Sequence, residues 1–359
     1  MKKIFASLLI LAMCFSLFAS GAKEAAPKAE NKLMLGMVTD AGTIDDRSFN
    51  QGTWEGIKRA ADEYGVKCDY LRPAGTTTVD YVTAISDLYD QGYRFIACPG
   101  YLFSNAVYQA QTMYPDLKLI ILDATPTDDA GNTVIGENTV AVSWKEQESG
   151  FLAGVATALQ IQEGDVGFVG GIQVPAVQKF NWGFQQGITY ANKTYGTKIG
   201  MDPSNFTYSG SFADLALGQQ LAMAMYNKGV EVVFAAAGGT GVGVINEAKN
   251  RRLSGQDVWA VGVDVDQYSV GDMGNGKSAI LTSAMKYVDV AAYNEAVNAI
   301  NGTFKGGVSE LLGAAEEALG IPQENPNLRP EVQEEVFKVN ELIKNGTITI
   351  QDNANGLIP

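Results

Sequence analysis

The chain of 359 residues contains no histidine. Composition therefore excludes Ser-His-Asp and Cys-His catalysis, as well as metal sites built on imidazole. Basic residues are scarce, because 26 Lys and Arg stand against 40 Asp and Glu for a net charge of −14. This balance argues against a surface for nucleic acid or anionic membrane. With 46% hydrophobic and 18% charged residues, the chain has a globular composition and the length of two ordinary domains.

Cysteine is almost as rare, with three in the whole chain. Cys68 and Cys98 fall in segments that we predict to be the second and third strands of one sheet. In a doubly wound sheet those strands flank the first strand at about 10 Å from each other, which is too far for a disulfide. We therefore expect two free, buried thiols.

Only the amino terminus carries a long hydrophobic run. A basic start, an apolar stretch and a small-residue cleavage region predict a signal peptide over residues 1–22. Residues 23–31 are rich in Ala, Lys, Glu and Pro and predict a flexible tether. We expect an exported protein of the periplasm or cell envelope. We favour simple cleavage and keep lipid anchoring at Cys14 as the alternative, because Met13 precedes this cysteine and an apolar run follows it.

The segment after the tether predicts a strand, a loop and a helix. Residues 33–38 form a short apolar run, and apolar residues recur at helical spacing from Trp54 onward. The intervening loop contains Asp40, and the helix opens with Phe49 and Asn50. Because open α/β sheets bind ligands at the carboxyl ends of their strands, this loop is a candidate binding segment.

The same strand–helix alternation continues along the chain in two similar series. Short connections predict an α/β fold with two doubly wound parallel sheets, helices on both faces, and strands crossing between two lobes. We read the glycine-rich segment 238–241 as a tight turn before a helix over 242–252, and residues 347–351 as a closing strand. The glycines do not form a dinucleotide fingerprint, because Val244 stands where the third glycine is required.

Polar and aromatic residues follow several predicted strands. If the two lobes face each other, these residues line one cleft. They are Asp40, Tyr101, Asp123, Gly238, Gly239, Asp264 and Lys286, with Phe49 and Phe180 at the starts of helices. Each also has a plainer interpretation, since such aspartates often cap helices and such phenylalanines often belong to the core. The pairs Asp45–Asp46 and Asp264/Asp266 lack the regular ladder of a calcium loop.

Five motifs in order resemble the basic membrane protein family of ABC-transporter solute-binding lipoproteins. They are DDRSFNQGTWEG, FVGG with PAVQKFNWGFQQG, AGGTGVGV, VGVDVDQY and LTSAMKYVDVA. The resemblance covers nearly the whole chain after the tether. It implies a type I periplasmic binding fold of two α/β lobes, three crossovers and a ligand cleft between the lobes. We expect one lobe of residues 32–143 and about 282–305, and another of 144–281, with the C-terminal region divided between them.

The resemblance also implies a purine nucleoside ligand and a role for each matching residue. Phe49 and Phe180 would sandwich the purine, and Asn50 and Asp123 would hydrogen-bond its edge. Asp264, Lys286 and the backbone at Gly238 would hold the ribose, with Asp40 beside them. No catalytic group, cofactor or metal is implied. The expected partners are an ABC permease and its ATPase, and the protein is expected to be a monomer. The region of residues 18–22 lacks the family's lipobox cysteine, which leaves the anchor open.

Two other functions are compatible with the residues themselves. A protein of the same fold could bind a sugar or another small solute, because sugar sites also use rings and carboxylates. A metal-dependent nucleoside hydrolase would use Asp45, Asp46 and Asp123.

Overall fold

The computed structural model describes residues 33–359. The predicted signal peptide, the tether and Cys14 lie outside the described residues. Within the described part of the chain, no helix combines the length and hydropathy needed to cross a bilayer.

The strands are short and mostly buried. They are β1 (Leu35–Val38), β2 (Cys68–Leu71), β3 (Phe95–Pro99), β4 (Lys118–Leu122), β5 (Thr139–Trp144), β6 (Glu163–Gly170), β7 (Lys198–Gly200), β8 (Phe206–Tyr208), β9 (Val230–Ala236), β10 (Trp259–Asp264), β11 (Asp272–Gly274), β12 (Lys277–Ser278), β13 (Ile280–Lys286), β14 (Val308–Leu312) and β15 (Leu319–Gly320).

The helices fill most of the connections between strands. They are α1 (Phe49–Tyr64), α2 (Thr78–Asp90), α3 (Ser104–Met113), α4 (Glu146–Ile161), α5 (Pro175–Tyr195), α6 (Leu215–Asn227), α7 (Gly238–Leu253), α8 (Val288–Ile300) and α9 (Pro330–Lys344). Local signals set several of their starts: a capping box of Thr77 and Asp80 opens α2, and Pro175 opens α5 at a position where its missing N–H costs nothing.

Two sheets form the centres of two lobes. The first has the order β14-β5-β4-β3-β1-β2, and the second has the order β15-β13-β10-β9-β6-β7, with β8 also paired to β6. All pairs are parallel except that of β15 with β13 in the second sheet and the separate β11–β12 hairpin. The predicted architecture of two doubly wound parallel sheets is therefore confirmed.

The chain crosses between the lobes three times. It leaves the first lobe between β5 and α4, returns between β13 and α8, which packs on α1, and leaves again between β14 and β15. The strand Ile280–Lys286 belongs to the second sheet. The return therefore begins after Lys286, later than the predicted boundary near residue 282.

Helices α4 and α5 of the second lobe pack closely against each other beside the cleft. A Cβ atom on Gly150 would lie 2.4 Å from the carbonyl oxygen of Phe180, and one on Gly183 would lie 2.1 Å from that of Gln147. Only glycine permits two backbones to approach this closely. The contact holds Phe180, in the second turn of α5, at a fixed position.

Three local predictions were wrong. The glycine-rich segment is not a turn before a helix, because α7 already begins at Gly238. Phe180 does not start its helix, which begins five residues earlier at Pro175. Residues 347–351 form no strand, since the backbone of Gln351 bonds to the side chain of Gln186, donating at 3.0 Å and accepting at 2.9 Å.

Both cysteines in the described chain are free, as predicted. Their strands, β2 and β3, pair with opposite sides of β1. Cys98 is buried, whereas Cys68 is only partly buried.

Candidate functional site

One cleft between the lobes brings together all eight predicted site residues. Its lining includes Asp40, Phe49, Asn50, Asp123, Phe180, Gly238, Asp264 and Lys286. The space between these side chains is about 650 Å³, a volume that includes the part open to solvent. The residues that follow the predicted strands therefore line one cleft, as expected. Their roles toward a ligand stay predictions.

The first lobe contributes the loop between β1 and α1. Asp46 accepts hydrogen bonds from the backbone N–H groups of Ser48 and Asn50, both at 2.9 Å, and of Gln51 at 3.1 Å. These donors are among the groups that a helix start leaves without intrahelical partners. Asp46 therefore fixes the beginning of α1, which carries Phe49 into the cleft.

Asn50 joins the two aspartates of this loop. Its Nδ2 donates to Asp40 Oδ1 and to Asp46 Oδ2, each at 2.9 Å, and its Oδ1 accepts from the backbone N–H of Asp40 at 3.1 Å. Both amide hydrogens are used within the protein, which leaves one lone pair of Oδ1 for other contacts. Contact between Asn50 and a base edge stays a prediction, and the observed bonds orient Asp40.

Asp123 and Asp264 occupy matching positions in the two lobes. Asp123 follows β4 and Asp264 ends β10, and both have left-handed backbones, with φ of 61° and 64°. Such conformations are uncommon outside glycine and are found at functional sites. Asp264 Oδ2 accepts from Ser48 Oγ at 2.5 Å across the cleft. Asp123 Oδ1 is buried without a hydrogen-bond partner among residues 33–359, so it is an open acceptor.

Lys286 lies at the centre of the charged groups. Its Nζ is 2.5 Å from Asp123 Oδ2 and 3.6 Å from Asp264 Oδ1, and its side chain is 2% exposed. Burial lowers the pKa of this ammonium, but Asp123, Asp264 and Glu146 outweigh burial and raise it above its ordinary value. Lys286 is therefore a permanent cation in the cleft.

The two predicted stacking rings face this cation from opposite lobes. Lys286 Nζ lies 4.7 Å from the centre of the Phe49 ring and 5.5 Å from that of Phe180. Phe180 also packs edge-on against Phe234, at 6.1 Å between ring centres. Both rings thus border the same cleft.

Carboxylates outnumber cations in the lining. Asp40, Asp46, Asp123 and Asp264 accompany Lys286. Burial raises the pKa of Asp40 to about 6, even though hydrogen bonds from Gly42 and Asn50 act in the opposite direction. Such a site suits a ligand that donates several hydrogen bonds. Among residues 33–359, no cluster of three or more His, Cys, Asp or Glu side chains is placed to hold a metal ion.

Sequence patterns did not point to every lining residue. Ser48 and Phe212 also face the cleft, as does Asp46, which the sequence suggested only for a cation site or a hydrolase. Ser48 and Asp46 lie beside Phe49 in a loop that was already a candidate. Phe212 lies in the connection between β8 and α6, where no sequence pattern indicated a ligand contact. Tyr101, half exposed at 49%, borders the cleft as expected from its position after β3.

The family model described as "ABC transporter substrate-binding protein PnrA-like" matches residues 33–354. The chain belongs to this PnrA-like family. Its similarity to the basic membrane proteins, inferred from five motifs, is confirmed, since basic membrane protein A1 of Borrelia garinii is 32% identical over 96% of both chains. As a member, it is the substrate-binding component of an ABC transporter.

Relatives of similar length are about one-third identical. The CD4+ T-cell-stimulating antigen of Listeria monocytogenes is 31% identical and covers 98% of this chain and 97% of its own. The ABC transporter nucleoside-binding protein BmpA of Lactococcus lactis is also 31% identical, covering 96% of this chain and 95% of its own. A solved solute-binding protein of an ABC transporter from Aeropyrum pernix K1 superimposes with a TM-score of 0.76 at 24% identity, covering 90% and 95%. This last likeness supports the fold.

Proposed function

We propose that this substrate-binding protein captures purine nucleosides such as inosine, guanosine and adenosine, and delivers them to an ABC permease driven by its ATPase. The observation that carries the proposal is the pair Phe49 and Phe180, which border one cleft from opposite lobes around the Lys286 ammonium. A 31% identical relative is named a nucleoside-binding protein, which supports the same ligand class.

The aromatic rings account for recognition of the base. A flat purine between Phe49 and Phe180 gains stacking and dispersion contacts on both faces, worth roughly 1–3 kcal/mol for each base in other proteins. Asp123, with its open Oδ1, accepts from N–H groups at the base edge. Asn50 supports this edge by orienting Asp40.

The charged groups account for recognition of the ribose. Asp264 accepts from ribose hydroxyls, Lys286 donates to them, and the start of α7 at Gly238 offers backbone N–H groups. A free base leaves these buried groups without ligand partners. Since an unpaired buried carboxylate is costly, nucleosides should bind more tightly than bases.

Binding should close the two lobes over the ligand, with motion about the three crossings. The protein acts by capture and release, and no catalytic step is proposed. We further propose that it is exported as a monomer, with cleavage near Ala22 or a lipid anchor at Cys14. Mass spectrometry of the native amino terminus distinguishes these two forms.

Calorimetry of the mature protein tests the ligand class. Inosine, guanosine and adenosine should bind more tightly than cytidine and free hypoxanthine. Equal or absent binding across this panel would contradict the proposal. Binding of a sugar alone would favour the solute-binding alternative, and release of free base from inosine would favour a hydrolase.

A further inference from the structure

Glu146 lies where two crossings between the lobes meet. It is the first residue of α4, just after the chain leaves the first lobe, and Lys286 is the last residue of β13, just before the chain returns. Glu146 Oε1 is 3.7 Å from Lys286 Nζ. The third crossing is also tied here, because the backbone N–H of Lys145 donates to the carbonyl of Leu312 at 2.8 Å. Glu146 therefore lies in the hinge region.

The Glu146 side chain is buried behind Lys286 and does not line the cleft. The residue is 1% exposed, and its Oε2 has no hydrogen-bond partner in the described chain, although Lys179 Nζ is 3.3 Å away. The charged groups that face it are Lys286 from β13, Lys179 from α5 and Asp123 beyond β4. Burial of this carboxylate and the nearby charge of Asp123 favour its protonated form, whereas the two ammonium groups favour its charged form.

Lobe closure changes the partners of Lys286. Asp123 belongs to the first lobe and lies 2.5 Å from Lys286 Nζ, whereas Asp264 and Glu146 lie on the same side of the hinge as Lys286 itself. Because proteins of two hinged lobes open and close around ligands, separation of the lobes would withdraw Asp123 and would leave Glu146 and Asp264 to balance the ammonium. Closure would return Asp123, whose charge repels that of Glu146.

We propose that Glu146 is a positioning residue that couples lobe closure to proton uptake. While the lobes are apart it is ionised and holds Lys286, and it becomes neutral when closure brings Asp123 to the same ammonium. This coupling rests on the proposed function in one respect: a bound nucleoside is the ligand that drives closure.

The electrostatics of the cleft as it stands in this structure, with Asp123 against Lys286, agree with this role. Burial and then the charge of Asp123 raise the pKa of Glu146 from 4.5 to about 7, against the opposing effects of Lys286 and Lys179. A group whose pKa is higher in the closed form favours closure below its open-form pKa, and this contribution is lost as pH rises to about 7. Ligand affinity should therefore fall across that window.

Calorimetry of inosine binding in buffers of different ionisation enthalpy tests the coupling. At pH 6 the wild-type protein should take up protons on binding, and Glu146→Gln, which is neutral and nearly isosteric, should take up fewer. The variant should bind at least about tenfold more tightly than wild type at pH 8, and this difference should shrink as pH falls to 5, since one proton changes affinity up to tenfold per pH unit. Equal proton uptake by wild type and Glu146→Gln, together with affinities that change with pH in the same way in both proteins, would overturn the proposal.

Glu148→Gln is the matched control. Glu148 lies in the same turn of α4, but its Oε2 accepts from the backbone N–H of Ala314 at 2.7 Å, and no contact joins it to Lys286. This variant should keep the proton uptake of wild type at pH 6. If Glu148→Gln lost as much proton uptake as Glu146→Gln, removal of any nearby negative charge would explain the effect. That result would overturn the assignment to Glu146.

Scattering from the ligand-free protein separates this proposal from the identity of the ligand. In small-angle X-ray scattering of ligand-free protein, wild type should be more compact at pH 5 than at pH 8, and Glu146→Gln should lose part of that difference. An identical response of both proteins overturns the coupling even if no nucleoside binds. If the variant does not fold, carbon-13 titration of the glutamates in wild-type protein saturated with inosine, which keeps the lobes closed, decides. A carboxyl midpoint near 7 is expected, and none above about 5.5 overturns the proposal.

Discussion

Asp264→Asn removes one charge from the ribose side of the cleft without changing the shape of the side chain. Asp264 has a left-handed backbone with φ of 64°, a conformation that asparagine also adopts readily. Its Oδ2 is occupied by Ser48 Oγ at 2.5 Å, and its Oδ1 lies 3.6 Å from Lys286 Nζ. Oδ1 is therefore the atom that can accept from a ribose hydroxyl.

The expected loss follows from one charge-assisted hydrogen bond. Such bonds contribute about 1.5–3 kcal/mol, so inosine affinity should fall about 10- to 150-fold in Asp264→Asn. The effect should be confined to ligands that carry ribose hydroxyls. 2′,3′-Dideoxyinosine, which lacks the 2′- and 3′-hydroxyls and keeps only the 5′-hydroxyl, should bind the variant and the wild-type protein with similar affinity if Asp264 accepts from the 2′- or 3′-hydroxyl.

Calorimetry with both ligands and both proteins gives the coupling between Asp264 and the ribose. Ser48→Ala is the control, because it removes the hydrogen bond to Oδ2 and keeps the carboxylate. It should preserve the preference for inosine over its dideoxy analogue. Equal weakening of both ligands by Asp264→Asn would refute ribose recognition by this residue.

Three further predictions concern other parts of the cleft. Phe180→Leu should weaken inosine binding by about 1–3 kcal/mol in calorimetry, whereas Phe184→Leu, which alters a fully buried ring outside the cleft lining, should lower thermal stability and leave affinity close to wild type. Lys286→Met leaves buried carboxylates without their cation, so urea unfolding at pH 8 should show a free energy of unfolding lower by about 3–5 kcal/mol. The loss should be smaller at pH 5, where the carboxylates gain protons. An equal loss at both pH values would contradict the charge network. Burial raises the pKa of Asp40 to about 6, so its contribution to stability is lost as pH rises from about 4 to 6. In calorimetric melting, Asp40→Asn should therefore raise the melting temperature relative to wild type by more at pH 8 than at pH 4. A difference in melting temperature that does not change with pH would refute this.

The architecture was predictable because its signals are local. Short apolar runs separated by helical periodicity mark buried parallel strands, and the carboxyl ends of such strands meet at one edge. Asp40, Asp123 and Asp264 could therefore be placed together without any knowledge of side-chain contacts. Their roles toward a ligand still came only from the family resemblance.

The remaining features depend on contacts between distant segments. The side-chain partners of Asn50 could not be predicted, because its bonds to Asp40 and Asp46 require the loop to fold back on the start of α1. Glu146 reads in sequence as an ordinary acidic residue in the first turn of a helix, and only the crossing of the chain buries it beside Lys286. Residues 347–351 have a strand-like sequence, but the side chain of Gln186 takes up the backbone bonds of Gln351.

A crystal structure of the mature protein with inosine measures the position of the base relative to the two rings. We predict that the purine lies between Phe49 and Phe180, with the ribose hydroxyls within hydrogen-bond distance of Asp264 and Lys286. A ligand bound outside this cleft, or a base that touches neither ring, would contradict recognition of purine nucleosides by the two lobes.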